Sequence, residues 1–378
     1  MRFPEFTGEW KLNILDSVCT FHNGRAYKQH ELLSAGKYRV LRVGNFFTND
    51  SWYYSDLELE EDKTASDGEL LYAWSASFGP RFWKGEKVIY HYHIWKIDSF
   101  QEVCKEFLFY FLEKDAASIK NEVQGGTMAH ITKADMERRN ITYPTICEQS
   151  KIARLLFLLD HRIATQNKII EKYESLIKGI NEKLLINKKE YTTYRLSDIC
   201  EIRSGYSGTQ LTGTQGLMVS RIETISKHCI NLDKVGYVKP FDSSADFKLH
   251  IGDILFSNIN SVQYIGNTAF VDREYDLYHG MNLLRLIPRK IVEPFYVFLL
   301  LNTAKYKIHF QSICNKAISQ ASINQTELGK TVIHIPDLLY QKQICQLYNS
   351  LYNKKNIENL YLQALKQQKN HLLRQMVI

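Results

Sequence analysis

Several short stretches of this 378-residue chain carry residue types that could do chemistry. Gly329-Lys330-Thr331 has the ending of a phosphate-binding loop. The opening glycine should fall at position 324, which is Asn, so the cradle for the phosphates is incomplete. Pro336-Asp337 starts like a metal-dependent nuclease centre. Gln341, ahead of Lys342, stands where the second carboxylate belongs, and a lone Asp holds a metal poorly. His91 and His93 would share one face of a strand. Without a third ligand such a pair more often serves polar or stacking roles than metal binding. Gly205, Gly208, Gly213 and Gly216 lack the strand–turn–helix setting of a dinucleotide or S-adenosylmethionine site. No (Asp/Asn)-Pro-Pro-(Tyr/Phe) tetrapeptide of the amino-methyltransferases occurs. Each common catalytic route therefore lacks a group that it needs, and no catalytic residue and no metal ligand is assigned.

The seven cysteines (19, 104, 147, 200, 229, 314 and 345) are odd in number, scattered and without a Cys-x-x-Cys pair. A disulfide framework or a zinc site is not expected, and a reducing cytoplasm is the expected location. No run of about 18 apolar residues is present, so no membrane span is expected. Met1–Phe6 lacks the apolar region of a signal peptide. The net charge of +7 weakly favours a polyanionic partner, but its distribution says more. Residues 1–147 carry −3 and residues 191–340 carry +2, whereas 148–190 carry +3 and 341–378 carry +5. Any anion-binding face in the first segment must be local, with the acidic run Asp56-Leu57-Glu58-Leu59-Glu60-Glu61-Asp62 turned away.

The elements that would position such residues come in two copies. Val18-Cys19 followed by Gly24 matches Ile199-Cys200 followed by Gly205. Val40, Arg42 and Val43 match Val219, Arg221 and Ile222. Gly68–Tyr72 matches Gly252–Phe256. Further on, Ile131 and Met136 match Ile323 and Leu328, Tyr143-Pro144 matches Ile335-Pro336, and Gln149 and Ile152 match Gln341 and Ile344. The order is constant and the offset drifts slowly from about 180 to 192 residues.

Each copy ends in a heptad seam. Ile152, Leu156, Leu159, Ile163, Gln166, Ile170, Tyr173, Ile177, Ile180 and Leu184 step by four and three, as one face of a helix must. The second seam runs through Ile344, Tyr348, Leu351, Lys355, Glu358, Leu362, Leu365, Lys369, Leu372 and Met376, with three charged positions. About 40 residues of helix span roughly 60 Å. Neither helix can bury its seam alone. The simplest solution is an antiparallel coiled coil with the domains at opposite ends; the alternative is that each helix docks on its own domain. Within each copy, short strand-like runs (Tyr38–Val43, Val88–Ile97, Leu217–Ile222, Gly252–Phe256, Asn282–Pro288) precede an apolar helix-like segment (Val103–Leu112, Pro294–Leu301). The fold class is therefore α+β. The expected division is a domain at 1–147, a long helix at 148–190, a domain at 191–340 and a long helix at 341–378.

Together these features resemble the specificity subunit of type I restriction–modification systems. Arg2-Phe3-Pro4-Glu5-Phe6 with Trp10 is similar to a frequent start in that family. So are Ile141-Thr142-Tyr143-Pro144, Glu148-Gln149-x-x-Ile152 and the helix to Leu184-Leu185. Ile335-Pro336 and Gln341-x-x-Ile344 repeat the pattern, with Tyr340 where the family usually has Glu. Gly125-Gly126-Thr127, Ser319, Gly68–Trp74 with Ser75, Ser77 and Gly79, and Gly252–Ser257 also resemble family segments.

The resemblance implies a non-catalytic protein whose two target-recognition domains each read half of a bipartite site on double-stranded DNA. The helices would set the gap and dock two methyltransferase (modification) subunits that carry S-adenosylmethionine. Motor-nuclease (restriction) subunits using ATP and Mg²⁺ would join them, and this chain would bind no cofactor. Under that reading, Arg42 and Arg221 hold equivalent positions and are candidates for guanine contacts, with Asn45 beside the first. The loop of Trp74, Ser75, Ser77, Phe78 and Arg81 and the loop of Ser257, Asn258, Asn260 and Ser261 follow equivalent strands. His91, His93, Lys96, His279 and Asn282 belong to the next strand region. Surface ion pairing, solvation and pocket lining are the rival roles for these side chains. Two other functions stay open: a nuclease or methyltransferase with a divergent site, and a coiled-coil scaffold that binds no DNA.

Overall fold

Two α-helices of 39 residues each, Ile146–Leu184 and Leu338–Met376, run through the protein. The computed structural model describes residues 2–47, 49–75, 78–122, 131–184, 191–226, 228–316 and 320–377. The chain divides into two compact units, residues 1–168 with 360–378, and residues 169–359. The division cuts through both long helices, so each unit holds one globular domain and a part of each helix.

In the first unit the start of the first helix packs on the end of the second. Ile152, Ala153 and Leu156 share a core with Leu372, Leu373 and Met376. Leu159, Leu362 and Leu365 are also buried, and Ile163 is half-buried. In the second unit the later part of the first helix meets the start of the second helix. Ile177 and Ile180 pack with Ile344, Tyr348 and Leu351, and the Tyr348 hydroxyl donates to the Ile177 carbonyl at 3.5 Å. Ile170 is buried and Tyr173 is half-buried; the side chain of Leu184 lies outside those described. The helices are therefore antiparallel partners in one coiled coil. The two seam lysines are paired. Lys369 reaches Glu113 at 2.8 Å and Asp160 at 2.7 Å, and Lys355 reaches Glu174 at 3.5 Å.

Each domain is built on the same four-stranded antiparallel sheet. In the first domain the strand order is Thr20–Asn23, Ile94–Asp98, Leu70–Ala73, Gly79–Phe82; in the second it is Cys200–Ser204, Leu284–Pro288, Ile254–Phe256, Thr268–Phe270. The registers agree: Leu71 lies opposite Lys96, and Leu255 lies opposite Arg285. A helix covers each sheet, Lys105–Glu122 in one domain and Pro294–Leu301 in the other. The repeated glycines have a steric cause. A Cβ at Gly24 would overlap the His91 carbonyl, and one at Gly205 would overlap the Gly280 carbonyl. All five expected strand runs form shorter strands, and two of them are interrupted. Tyr38–Leu41 gives way to a short helix at Val43–Phe47, and the 88–97 run breaks into Val88–Tyr90 and Ile94–Asp98 around a turn.

The junction between domain and long helix is also built twice. Gln149 accepts from the Cys104 N–H at 2.8 Å and donates to the Pro144 carbonyl at 2.8 Å. Gln341 accepts from the Glu293 N–H at 2.9 Å and donates to the Pro336 carbonyl at 2.8 Å. Both side chains are buried, so each amide ties the first turn of a long helix to the start of its domain's covering helix. Next to the first clamp, Arg2 makes a two-pronged ion pair with buried Glu148, both contacts at 2.7 Å. At the matching place in the second domain, half-buried Tyr340 packs against the apolar core instead. Replacing Gln149 or Gln341 by Ala leaves buried backbone groups unpaired, and each change is expected to cost about 1–3 kcal/mol in urea unfolding. Lys342→Ala, exposed one residue away, should stay within about 0.5 kcal/mol.

Candidate nucleic-acid interface

The sheet frame takes two of the strongest charges out of play. Lys96 is 5% exposed, pairs with Glu69 at 2.7 Å and donates to the Glu61 and Thr64 carbonyls. At the matching position Arg285, 4% exposed, pairs with Asp253 at 2.7 Å. Burial pushes the Asp253 carboxyl above its usual range, while the His250 N–H and Arg285 pull it down. Lys96 is thus a frame residue and not the DNA-facing cation expected from its charge. Its partner's place in Gly68–Tyr72, matched by Asp253 in Gly252–Phe256, was the available signal. The acidic run of the first domain is met by lysines. Lys37 pairs with Glu58, Lys87 with Glu61 at 2.6 Å and Lys63 with Asp62 at 2.9 Å.

Around the His91–His93 turn of the first domain the structure gathers rings. Trp74 stacks on buried Trp95 with centroids 5.7 Å apart, and its indole N–H donates to the Tyr92 carbonyl at 2.8 Å. The His91 ring lies 5.0 Å from His93 and 6.4 Å from Tyr27, and Arg25 sits over Tyr27 at 5.5 Å. Burial first, then the charges of His93 and Arg42, push His91 down to about 4. At neutral pH it is an uncharged donor, acceptor and stacking surface, not a cation. Arg42 lies over Tyr53 at 4.2 Å and donates to Asn45 Oδ1 and the Ser51 carbonyl. Asn45 also donates to the Asn49 and Ser51 carbonyls. Exposed Arg81 lies over Phe47 at 4.8 Å. Ser75 and Phe78 are buried, Phe78 in the core, which removes them from the exposed face expected of them. Ser77 lies outside the described residues, as do Gly125-Gly126-Thr127 and Ser319.

The second domain is plainer. Arg221 is exposed, with Glu223 at 3.7 Å. Ser257 is buried and accepts from the Asn260 amide at 3.1 Å; Asn260 in turn accepts from the Ser261 N–H at 2.8 Å, and Asn258 donates to the Ile323 carbonyl. The Asn260–Ser261 loop therefore turns polar groups inward on itself. His279 is 1% exposed, donates Nε2–H to the Leu283 carbonyl at 2.9 Å and is pushed down to about 4 by burial. It is a core histidine, not the DNA-facing group expected. Asn282 is exposed, with φ of 64°. Tyr206 stacks flat on Phe241 at 3.8 Å. Arg25, Tyr27 and Tyr206 were not foreseen. Arg25 and Tyr206 directly follow the repeated glycines Gly24 and Gly205, and that was the one pointer to them.

The phosphate-loop and nuclease look-alikes have ordinary structural roles. Gly329 ends the short helix Gln325–Gly329 and a strand follows at Val332, the reverse of a loop that opens a helix. Asp337 accepts from the Tyr340 N–H at 2.9 Å at the start of the second long helix. Among the described residues no group of three or more His, Cys, Asp or Glu could hold a metal ion.

The family model for the type I restriction modification DNA specificity domain matches this chain twice, over residues 7–175 and 188–367. The chain belongs to the type I specificity domain family. A putative type I restriction enzyme MjaX specificity subunit of Methanocaldococcus jannaschii is 38% identical over 193 residues, 50% of this chain and 45% of that one. The chain thus matches less than half the length of that relative. The MjaVIII specificity subunit of the same organism is 23% identical over 335 residues, 82% of this chain and 78% of that one. The fold is shared with the S subunit of a type I restriction–modification system from M. genitalium. Its TM-score is 0.61 at 16% identity, covering 100% of this chain and 99% of the other. Each specificity domain thus offers neutral hydrogen-bonding groups, aromatic surface and a few arginines, the means by which base edges are read and phosphates are held.

His91 and His279, the two most strongly depressed histidines, fix the sign of a pH effect. Their folded values near 4 lie below the ordinary 6.5, so their stability contribution is whole above 6.5 and is lost as pH falls toward 4. Urea melts are expected to show falling stability across that window, and His279→Gln should flatten the loss. An unchanged slope would contradict the assignment of His279.

Proposed function

We propose that this chain is the non-catalytic specificity subunit of a type I restriction–modification complex. Each specificity domain reads one half of a bipartite site on double-stranded DNA, and the antiparallel helices fix the gap between the halves. The observation that carries this reading is the duplication itself. One sheet frame, one steric glycine and one glutamine clamp occur twice, and both copies are joined to a single helix pair.

The helices also supply a surface for partner subunits. Phe157, Leu158 and Leu176 on the first helix, and Leu347, Ile357 and Leu360 on the second, are large, apolar and exposed. Two methyltransferase subunits carrying S-adenosylmethionine are the partners this surface serves, with motor-nuclease subunits using ATP and Mg²⁺ joining them. No cofactor is assigned to this chain. No helix among the described residues is long and apolar enough to cross a membrane, and the cytoplasm, where the genome lies, is the place of action.

Mapping methylated sites in the host with and without the gene tests the proposal; the expected result is loss of one two-part motif with a fixed gap. Methyl transfer or cleavage by the purified chain alone would overturn it. Inserting seven helical residues into each long helix adds about 10 Å, or about three base pairs at 3.4 Å each. The gap should lengthen while both half-sites stay unchanged; altered half-sites would show that the helices are not the spacer.

A further inference from the structure

The two domains share one backbone arrangement at a pair of turns whose sequences differ. In the first domain the turn His91-Tyr92-His93 leads into the strand Ile94–Asp98; in the second, Gly280-Met281-Asn282 precedes Leu284–Pro288. Each turn is held by the same parallel bridge, Arg25 with His91 and Tyr206 with Gly280. The neighbouring hydrogen bonds correspond as well. The Arg25 N–H donates to the Tyr90 carbonyl at 3.1 Å, and the Tyr206 N–H donates to the His279 carbonyl at 2.9 Å.

The middle residue of each turn is large, carries apolar surface and is partly exposed to solvent. Tyr92 is 39% exposed and Met281 is 36% exposed. One exposed apolar side chain needs no explanation. Two at the same place in a repeated frame, on turns that are otherwise unlike, do. Beneath them the backbone is fixed. The Tyr92 N–H donates to the Arg25 carbonyl at 3.1 Å, the Trp74 indole holds the Tyr92 carbonyl, and the Gly280 N–H donates to Ser220 Oγ at 3.0 Å. Each turn also begins next to an arginine position. The His91 N–H bonds to the carbonyl of Leu41, which precedes Arg42, and Ser220 precedes Arg221. A firmly held side chain with apolar surface, the Tyr92 ring or the Met281 thioether, beside a cation fits a base surface or a thymine methyl, with the phosphate held close by.

We propose that Tyr92 and Met281 are the base-contacting residues at the tips of two equivalent reading fingers, one in each domain. This rests on the DNA-reading function proposed above. Tyr92 works from within a ring cluster of Trp74, His91 and His93, whereas Met281 stands between Gly280 and Asn282. The same frame therefore presents two different surfaces, and the two half-sites differ in sequence.

Selection of random-sequence duplexes by the full-length chain, followed by sequencing, tests the fingers. Tyr92→Ala should lower enrichment about tenfold at one or more positions in one half of the motif only, and Met281→Ala should do so in the other half only. Tyr92→Phe should keep the wild-type motif. Both alanine changes are at exposed sites, so thermal melting should be unchanged. Motifs unaltered by either alanine change would overturn the fingers while leaving the DNA reading intact, and so would equal weakening of both halves. Failure of the wild-type chain to enrich any motif would sink the DNA reading, and the fingers with it.

Discussion

A helix of 39 residues with one apolar seam has no stable existence alone in water. Its propensity supplies little, and its stability comes from covering that seam. This constraint shapes the whole chain. Two such helices in one polypeptide satisfy each other, and antiparallel packing lets the start of each lie beside the end of the other. Each globular domain then shares its core with helix: Ile152 and Leu156 belong to the first domain's core, and Ile344 and Tyr348 to the second's. Each domain's core thus extends into the long helices.

Charge within the seam refines this arrangement. Lys369 is desolvated, yet Glu113 and Asp160 hold its amine above the usual range. A buried pair of this kind adds little net stability over an apolar contact. It does penalise every packing in which the lysine meets only leucine and isoleucine, and that makes one alignment of the helices preferable to its neighbours. Lys355 with Glu174 in the other unit is a longer and more exposed pair, at 3.5 Å.

Periodicity made the helices legible in the sequence, because the four-and-three spacing of Ile152 to Ile180 and of Ile344 to Met376 is a geometric requirement of the seam. The doubled domain was legible through Gly24 and Gly205, whose spacing records a close backbone approach that tolerates no side chain. The surface was much less so. Lys96, His279, Ser75 and Phe78 have polar or aromatic types that suit a DNA face, but the fold buries them, and for Lys96, in the strand Ile94–Asp98, a one-residue difference in register decides that. Arg25 and Tyr27 matter because of the rings around them, and those come from strands far apart in sequence. A polar loop such as Asn260–Ser261 reads the same whether its groups face solvent or bond to each other.

The glutamine clamps have a consequence for how such a protein can change over generations. Gln149 and Gln341 fasten each domain to its helix through the backbone groups of Cys104, Pro144, Glu293 and Pro336, none of them in the exposed turns at Tyr92 and Met281. The joint asks nothing of the turn's side chains. Inherited variation can therefore accumulate in the turns without loosening the joint, and a whole domain exchanged between two such genes would arrive with its own fastening residues. Variation in the turns and constancy of the joint are kept on separate residues.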